Sequence, residues 1–348
     1  MIDDLHAIIG EVLKSRSLDG RVCFTHVYAA PPGGQSLVFE CSSADVASDV
    51  QNEVKRRFGK AASLLQCVFL PNGEAELPEL VIGCSSVADV RRKPDHGSEL
   101  VSQIIRGEPV EPLKTSGDWY LARLEDGYIG WIRSWHLRAS SRADVDRFAG
   151  DARHRVKDNV IQIYQSPDEE ALPMGDAVVG TVLVSAPCAR RGWRAVRLGD
   201  ANEGYTRASG LEPVPRRRGV SRDKLAATGM RFLGIPYLWG GTTPKGFDCS
   251  GLVQRIYKLH GVAIPRDSDL QARFGADRPG RSWDRLNTGD LLFFGRAGDR
   301  IGHVGMYLSN SLFLHAYGQV KVGSLDPVHP LYEVKLAPDW QSTRDPLN

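Results

Sequence analysis

The 348-residue chain has a net charge of +2, with 42% hydrophobic and 25% charged residues, a globular composition long enough for two or three domains. A balance this close to neutral excludes polyanion binding as the main task, and the one basic run, Arg216-Arg217-Arg218 beside Pro213 and Pro215, reads as a solvated linker without a nucleic-acid signature. No stretch approaches transmembrane length, the acidic start Met1-Ile2-Asp3-Asp4 is unlike a secretory leader, and six cysteines without paired spacing suit a reducing compartment, so a cytoplasmic monomer with no membrane or nucleic-acid partner is expected.

Residues 1–80 read as a small α+β unit of no assignable chemistry: an amphipathic helix, strands over 21–30 and 35–41, a helix over 44–58 and a strand over 64–70. An internal repeat follows. Residues 87–95 pair with 160–168, Trp119-Tyr120-Leu121-Ala122-Arg123-Leu124 with Trp193-Arg194-Ala195-Val196-Arg197-Leu198, and Gly127-Tyr128 with Gly204-Tyr205. Two copies of one β module are implied, over 81–139 and 154–214, and short strands punctuated by Gly and Pro predict small barrels. Residues 140–158 read as a polar, partly helical linker and 212–221 as the junction to a last domain over 221–340.

That last domain carries the chemistry. In Gly246-Phe247-Asp248-Cys249-Ser250-Gly251, Asp248 reads as a helix N-cap, and Leu252, Val253, Ile256 and Tyr257 recur at helical spacing until Gly261 stops the helix. Cys249 is thereby placed in the first turn, where unpaired N–H groups and the helix dipole favour a thiolate. His303, in Gly302-His303-Val304-Gly305, opens a predicted strand and is the candidate base. His315, in Leu314-His315-Ala316 on the next strand, either orients it or only packs. A Cys-His-His zinc site ranks below catalysis, because the ligands lack a closely spaced pair, and no metal or organic cofactor is expected.

Pro236-Tyr237-Leu238-Trp239-Gly240-Gly241, the Asp-Cys-Ser-Gly run, Gly289-Asp290-Leu291-Leu292-Phe293-Phe294 and His303-Val304-Gly305 together resemble, in order, the hallmark of the NlpC/p60 cell-wall cysteine peptidases over about residues 221–337. The resemblance implies a papain-like α+β domain with Cys249 as nucleophile, His303 as base and His315 as the third polar residue. It further implies cleavage after the γ-D-glutamyl unit of murein peptides, before meso-diaminopimelate or lysine. In cytoplasmic recycling members a free N-terminal L-Ala is required. The repeat modules resemble bacterial SH3-like domains, through Gly127-Tyr128-Ile129-Gly130-Trp131-Ile132 above all, and in such members the first of them helps to close the amine pocket with an acid and a tyrosine.

Tyr128 is the corresponding tyrosine, with a core aromatic as the alternative. Val101 falls where the acid is expected, and Glu99 lies two residues away. Asp267 with Ser268 matches the family's amine-contact positions, and Asp248 and Ser250 are further substrate candidates, although Asp248 and Ser268 serve equally well as helix caps. Tyr237 and Trp239 are expected to line the groove, with the Tyr237 hydroxyl and the Cys249 N–H as oxyanion donors. Trp239 is otherwise a prop for the glycine turn. The same architecture also serves amidases and acyltransferases, and a secreted wall hydrolase is the other alternative.

Overall fold

A computed structural model describes residues 2–30, 36–72, 76–215, 220–296, 298 and 300–348, and the basic run Arg216-Arg217-Arg218 lies outside them. The first unit begins with helix Ile2–Ser15, which buries Leu5, Ile8, Ile9 and Val12, spaced three or four residues apart on one face. Helix Ala44–Phe58 is capped by Ser43, whose side chain accepts from the Val46 N–H. Both helices pack on a three-stranded sheet in which Leu37–Cys41 runs antiparallel to Thr25–Ala29 and parallel to Leu65–Phe69. Phe24, Val68 and Leu70 extend this unit into a shared core with Leu113, Trp119, Leu121, Ile129 and Trp131 of the following sheet. Lys114 pairs with Glu40 at 2.5 Å across the same junction.

Two seven-stranded antiparallel sheets follow. The first comprises Leu80–Gly83, Val87–Arg91, Leu100–Ile105, Pro109–Ser116, Trp119–Arg123, Ile129–Arg133 and Leu137–Ser140. The second comprises His154–Val156, Val160–Tyr164, Pro173–Val178, Val182–Pro187, Trp193–Leu198, Glu203–Arg207 and Leu211–Pro213. Numbered within each sheet, both have the strand order seventh, first, fourth, fifth, sixth, second, third. The matched tryptophans open the fifth strand of each, and each lies under an arginine, Arg133 over Trp119 and Arg207 over Trp193. Between the sheets, helix Arg142–Asp151 is capped by Ser141, so the polar linker is helical for most of its length.

The last domain is built on a six-stranded antiparallel sheet in the order Ala276–Asp277, Trp340–Asp345, Leu291–Phe294, His303–Ser309, Leu312–Tyr317, Gln319–Ser324. Helix Cys249–Leu259 lies across it. With 11 residues this helix would be marginal alone. Leu252, Val253 and Ile256 are fully buried against Val304, Met306 and Leu314, and roughly 1.5–3 kcal/mol per buried side chain is ample to hold it. Among the described residues no helix is long and apolar enough to cross a membrane.

Candidate active site

Cys249 is the first residue of its helix, and Asp248 caps it by accepting from the Gly251 N–H at 2.6 Å. The glycines around it are steric necessities. At Gly251 a Cβ would stand 2.2 Å from the Gly241 carbonyl oxygen, and at Gly240, with φ of +77°, it would stand 2.4 Å from the Leu100 carbonyl oxygen of the first seven-stranded sheet. The Gly-Gly turn therefore packs directly under the nucleophile helix and against a neighbouring unit.

The strand partners arrive from the far side. Val304, one residue beyond His303, packs in the same buried core as Cys249, and its backbone N–H favours the thiolate. His303 Nε2 meets His315 Nδ1 at 3.0 Å with the rings nearly perpendicular. His315 is fully buried, and its Nε2 faces Glu333 Oε1 at 3.4 Å, a charge contact longer than a good hydrogen bond. Glu333 is held in turn by Lys321 Nζ at 2.7 Å. Glu333 carries no sequence signal of its own: it sits in an irregular segment and reaches His315 only because Gly323, where a Cβ would stand 2.4 Å from its Cγ, leaves room.

Electrostatics correct one expectation. The Cys249 thiol is pushed up to about 12, first by burial and then by the Asp248 carboxylate, against the Val304 and Ser250 backbone hydrogen bonds. His303 falls to about 3 through burial and then the facing His315, and His315 falls to about 3 through burial and then Lys321. The free protein therefore holds a neutral thiol and a neutral imidazole. The helix terminus does not win here, because desolvation of the largely buried sulfur and the adjacent Asp248 charge outweigh the dipole.

A stability prediction follows from the same shifts. An imidazole whose folded value is depressed is protonated first in the unfolded chain, so its contribution is complete above about pH 6.5 and is lost as pH falls toward 3. Fully buried His315 is expected to cost about 2–3 kcal/mol of stability between pH 7 and pH 4.5. Denaturant titrations at both values should show a steeper loss in the wild type than in His315→Gln; equal losses would contradict the buried-neutral assignment.

Asp248 is not free to bind a ligand. Arg266, 2% exposed, grips it through Nη2 to Oδ2 at 2.5 Å and Nη1 to Oδ1 at 3.1 Å, and the Gly240 N–H takes Oδ2 at 2.9 Å. Ser250 is bound into the same cluster, donating to Asp248 and accepting from Arg266 at 2.9 Å. Burial works against the Arg266 charge, and the charge and hydrogen bonds of Asp248 more than offset it, raising it above its usual range. Both Asp248 and Ser250 thus hold the nucleophile turn in place.

Asp267, and not Ser268, stands at the N-cap of the four-residue helix Ser268–Gln271, and its side chain makes no capping bond. It is therefore available for other contacts. Tyr128, 2% exposed, brings its hydroxyl to 3.3 Å from Asp267 Oδ2, while burial and then the Asp267 charge push that hydroxyl up to about 12. The Tyr128 turn is tied to the nucleophile helix by Gln254 Nε2 donating to Asp126 Oδ2 at 2.8 Å. Val101 is buried in the core of its own sheet. Glu99 instead accepts from Trp239 Nε1 at 2.9 Å, so Trp239, 62% exposed, is steered by a neighbouring unit. Burial and the nearby Cys249 and Asp248 raise the Tyr237 hydroxyl, keeping it a donor.

A separate cavity of about 750 Å³ lies at the far end of the nucleophile helix, bordered by Phe148, Arg155, Arg255 and Lys258. Its Arg155 and Lys258 are already paired with Glu212 and Glu108, and it holds none of the Cys249, His303 and His315 cluster. Among the described residues no group of three or more His, Cys, Asp or Glu is placed to hold a metal ion.

Cys249 at its helix start shares a core with Val304, beside the hydrogen-bonded pair His303 and His315 on adjacent strands, an arrangement compatible with cysteine peptidase chemistry. The NlpC/P60 family model matches residues 234–336, and a model described as the bacterial dipeptidyl-peptidase Sh3 domain matches residues 90–137. Dipeptidyl-peptidase 6 of Lysinibacillus sphaericus is 31% identical, over 72% of this chain and 93% of that protein. Gamma-D-glutamyl-L-lysine dipeptidyl-peptidase of Bacillus subtilis is 30% identical, over 62% of this chain and 71% of that protein. An NlpC/P60 family protein from Bacillus cereus has the same fold, with a TM-score of 0.65 at 23% identity, over 77% of this chain and all of that one. The chain belongs to the NlpC/P60 family of cysteine peptidases, with an SH3-like domain ahead of its catalytic domain.

Proposed function

We propose that this protein is a cytoplasmic endopeptidase that hydrolyses the γ-D-glutamyl-L-diamino-acid bond of murein peptides carrying a free N-terminal L-Ala, in the recycling of wall fragments. In this reading a papain-like catalytic domain works as a monomer, and the second seven-stranded sheet is a second SH3-like barrel, supported by its strand order. The observation that carries the substrate assignment is the Tyr128–Asp267 contact: a partly exposed carboxylate at the junction of the catalytic domain and the SH3-like domain suits an ammonium group at the end of the cleft. The names of the relatives support the same bond.

Cys249 transfers its proton to His303 as sulfur attacks the γ-carbonyl of D-Glu, so no preformed thiolate is needed. The Cys249 N–H and the Tyr237 hydroxyl take the oxyanion. With His303 Nδ1 as the base, its Nε2–H donates to His315 Nδ1, which orients the His303 ring, while the Glu333 carboxylate stands 3.4 Å from His315 Nε2 without a hydrogen bond. His303 returns the proton to the leaving amine, and water, activated by the same imidazole, releases the thioester.

The test is incubation with L-Ala-γ-D-Glu-meso-diaminopimelate and with its N-acetylated form, with products followed by mass spectrometry. Cleavage of the free-amine peptide alone is expected. Equal cleavage of both would remove the amine requirement, and cleavage of neither would favour an amidase or acyltransferase.

A further inference from the structure

The amine-pocket reading leaves the first eighty residues without a task, yet one side chain of that unit enters the site. Arg21, in the turn between helix Ile2–Ser15 and strand Thr25–Ala29, has a side chain 12% exposed. Its Nη1 donates to Asp267 Oδ2 at 2.7 Å and to Asp269 Oδ1 at 2.7 Å, and its Nη2 donates to Asp269 Oδ2 at 2.9 Å. Its Nε and Nη2 also engage Asp19. The whole guanidinium is thus committed to carboxylates, two of them 246 and 248 residues away.

The backbone is fixed as well. The Arg21 carbonyl accepts from the Ile129 N–H at 2.7 Å, immediately after Tyr128, and the Arg21 N–H donates to Asp19 at 2.9 Å. Behind this point Phe24 and Leu70 are packed into the core shared with the SH3-like domain. Arg21 is therefore held from both sides and cannot swing away cheaply.

We propose that Arg21 is a positioning residue for substrate selection, and that the N-terminal unit is a working wall of the amine pocket: Arg21 fixes Asp267 through Oδ2 and leaves its other oxygen for the substrate ammonium. This inference rests on the amine-pocket reading above. Two contacts define the geometry, since Arg21 and Tyr128 both approach Oδ2. Charge points the same way. Asp19, Asp267 and Asp269 face Arg21 and Arg300, the latter 2.8 Å from Asp269, while Arg92 pairs with Glu99 and Arg266 with Asp248. Burial opposes ionisation of Asp269, and the Arg21 hydrogen bonds and charge overcome it, which keeps the anchor charged.

The test is steady-state kinetics on L-Ala-γ-D-Glu-meso-diaminopimelate and its N-acetylated form, with Arg21→Met, Arg21→Lys, Asp267→Asn and the Arg21→Met/Asp267→Asn double variant, each checked by thermal melting. Arg21→Met is expected to raise KM for the free-amine peptide about tenfold with kcat held within about threefold, and to narrow the preference over the acetylated form. Arg21→Lys, which keeps the charge and loses the fork, is expected to restore part of the affinity, and it provides the measurement if Arg21→Met fails to fold. In the Asp267→Asn background, Arg21→Met should add nothing to KM. Wild-type KM in Arg21→Met, a lowered KM that marks Arg21 as a competitor of the ammonium, or additive effects in the double variant would each overturn the proposal. If Asp267→Asn narrows the preference and Arg21→Met does not, this inference alone fails. If Asp267→Asn leaves the preference unchanged, the amine-pocket reading fails and this one with it.

Discussion

Replacing Cys249 with alanine is expected to lower kcat by about 10⁴-fold or more while leaving the protein folded. Nothing else on the helix can take its part: Ser250, the adjacent hydroxyl, is locked between Asp248 and Arg266. The removed sulfur leaves only a small gap at the helix start, so a stability change within about 1 kcal/mol is expected. Comparing single-turnover rates and melting temperatures of the two proteins checks both halves of the statement. Residual turnover near the wild-type level would mean that the reaction does not pass through this sulfur. Alkylation of the free wild-type enzyme adds a finer test. With the thiol pushed up to about 12, the iodoacetamide rate near neutral pH should fall below that of free cysteine and climb into the alkaline range. A fast, pH-flat rate would signal a resting thiolate–imidazolium pair instead.

The second large effect is on the fold. Arg266→Met is expected to destabilise the protein by about 3–5 kcal/mol, because it removes the cation and leaves the Asp248 carboxylate buried with only backbone N–H groups and the Ser250 hydroxyl. Arg266 is 2% exposed and Asp248 7% exposed, so solvent cannot take over the pairing. Pairing Arg266→Met with Asp248→Asn should recover part of the loss, since an amide can still cap the helix through its oxygen and carries no charge. Urea denaturation of the wild type, the single variant and the double variant measures this. A single-variant cost below about 1 kcal/mol would show that the pair contributes no more than an exposed one. The kinetic consequence is indirect, because Asp248 ties Gly240 and Gly251 together around Cys249.

Much of the site was legible because its signals are local. Asp248 as a cap, Cys249 in the first turn, and His303 and His315 on adjacent strands need only a helix start and two apolar alternations, and each of those elements forms where the pattern puts it. The first unit was also readable in outline, since its helices and strands follow hydrophobic period alone. The repeat was visible as paired Trp and Gly-Tyr landmarks, which return as the same strand order in two sheets.

What escaped has a common cause. Arg21 sits in a turn with no periodicity, and its meaning lies in carboxylates at the other end of the chain. Glu333 is likewise anonymous until Gly323 admits it beside His315. Ser268 was the expected cap and Asp267 holds that position instead, because capping propensity does not say which backbone bend the chain will take.

The sequence by itself determined the chemistry class: one cysteine at a helix mouth, two histidines on strands and the glycines that let the turn close are covalent facts with local consequences. The tertiary structure decided the charge state of that chemistry and the partners of every acid around it. Burial raised Cys249 and lowered both histidines, against what a helix terminus alone would dictate. Packing of four units assigned Asp248 to Arg266 and Asp267 to Tyr128 and Arg21. Desolvation and ion pairing depend on what surrounds a group in space, and those neighbours come from segments whose distance along the chain carries no signal.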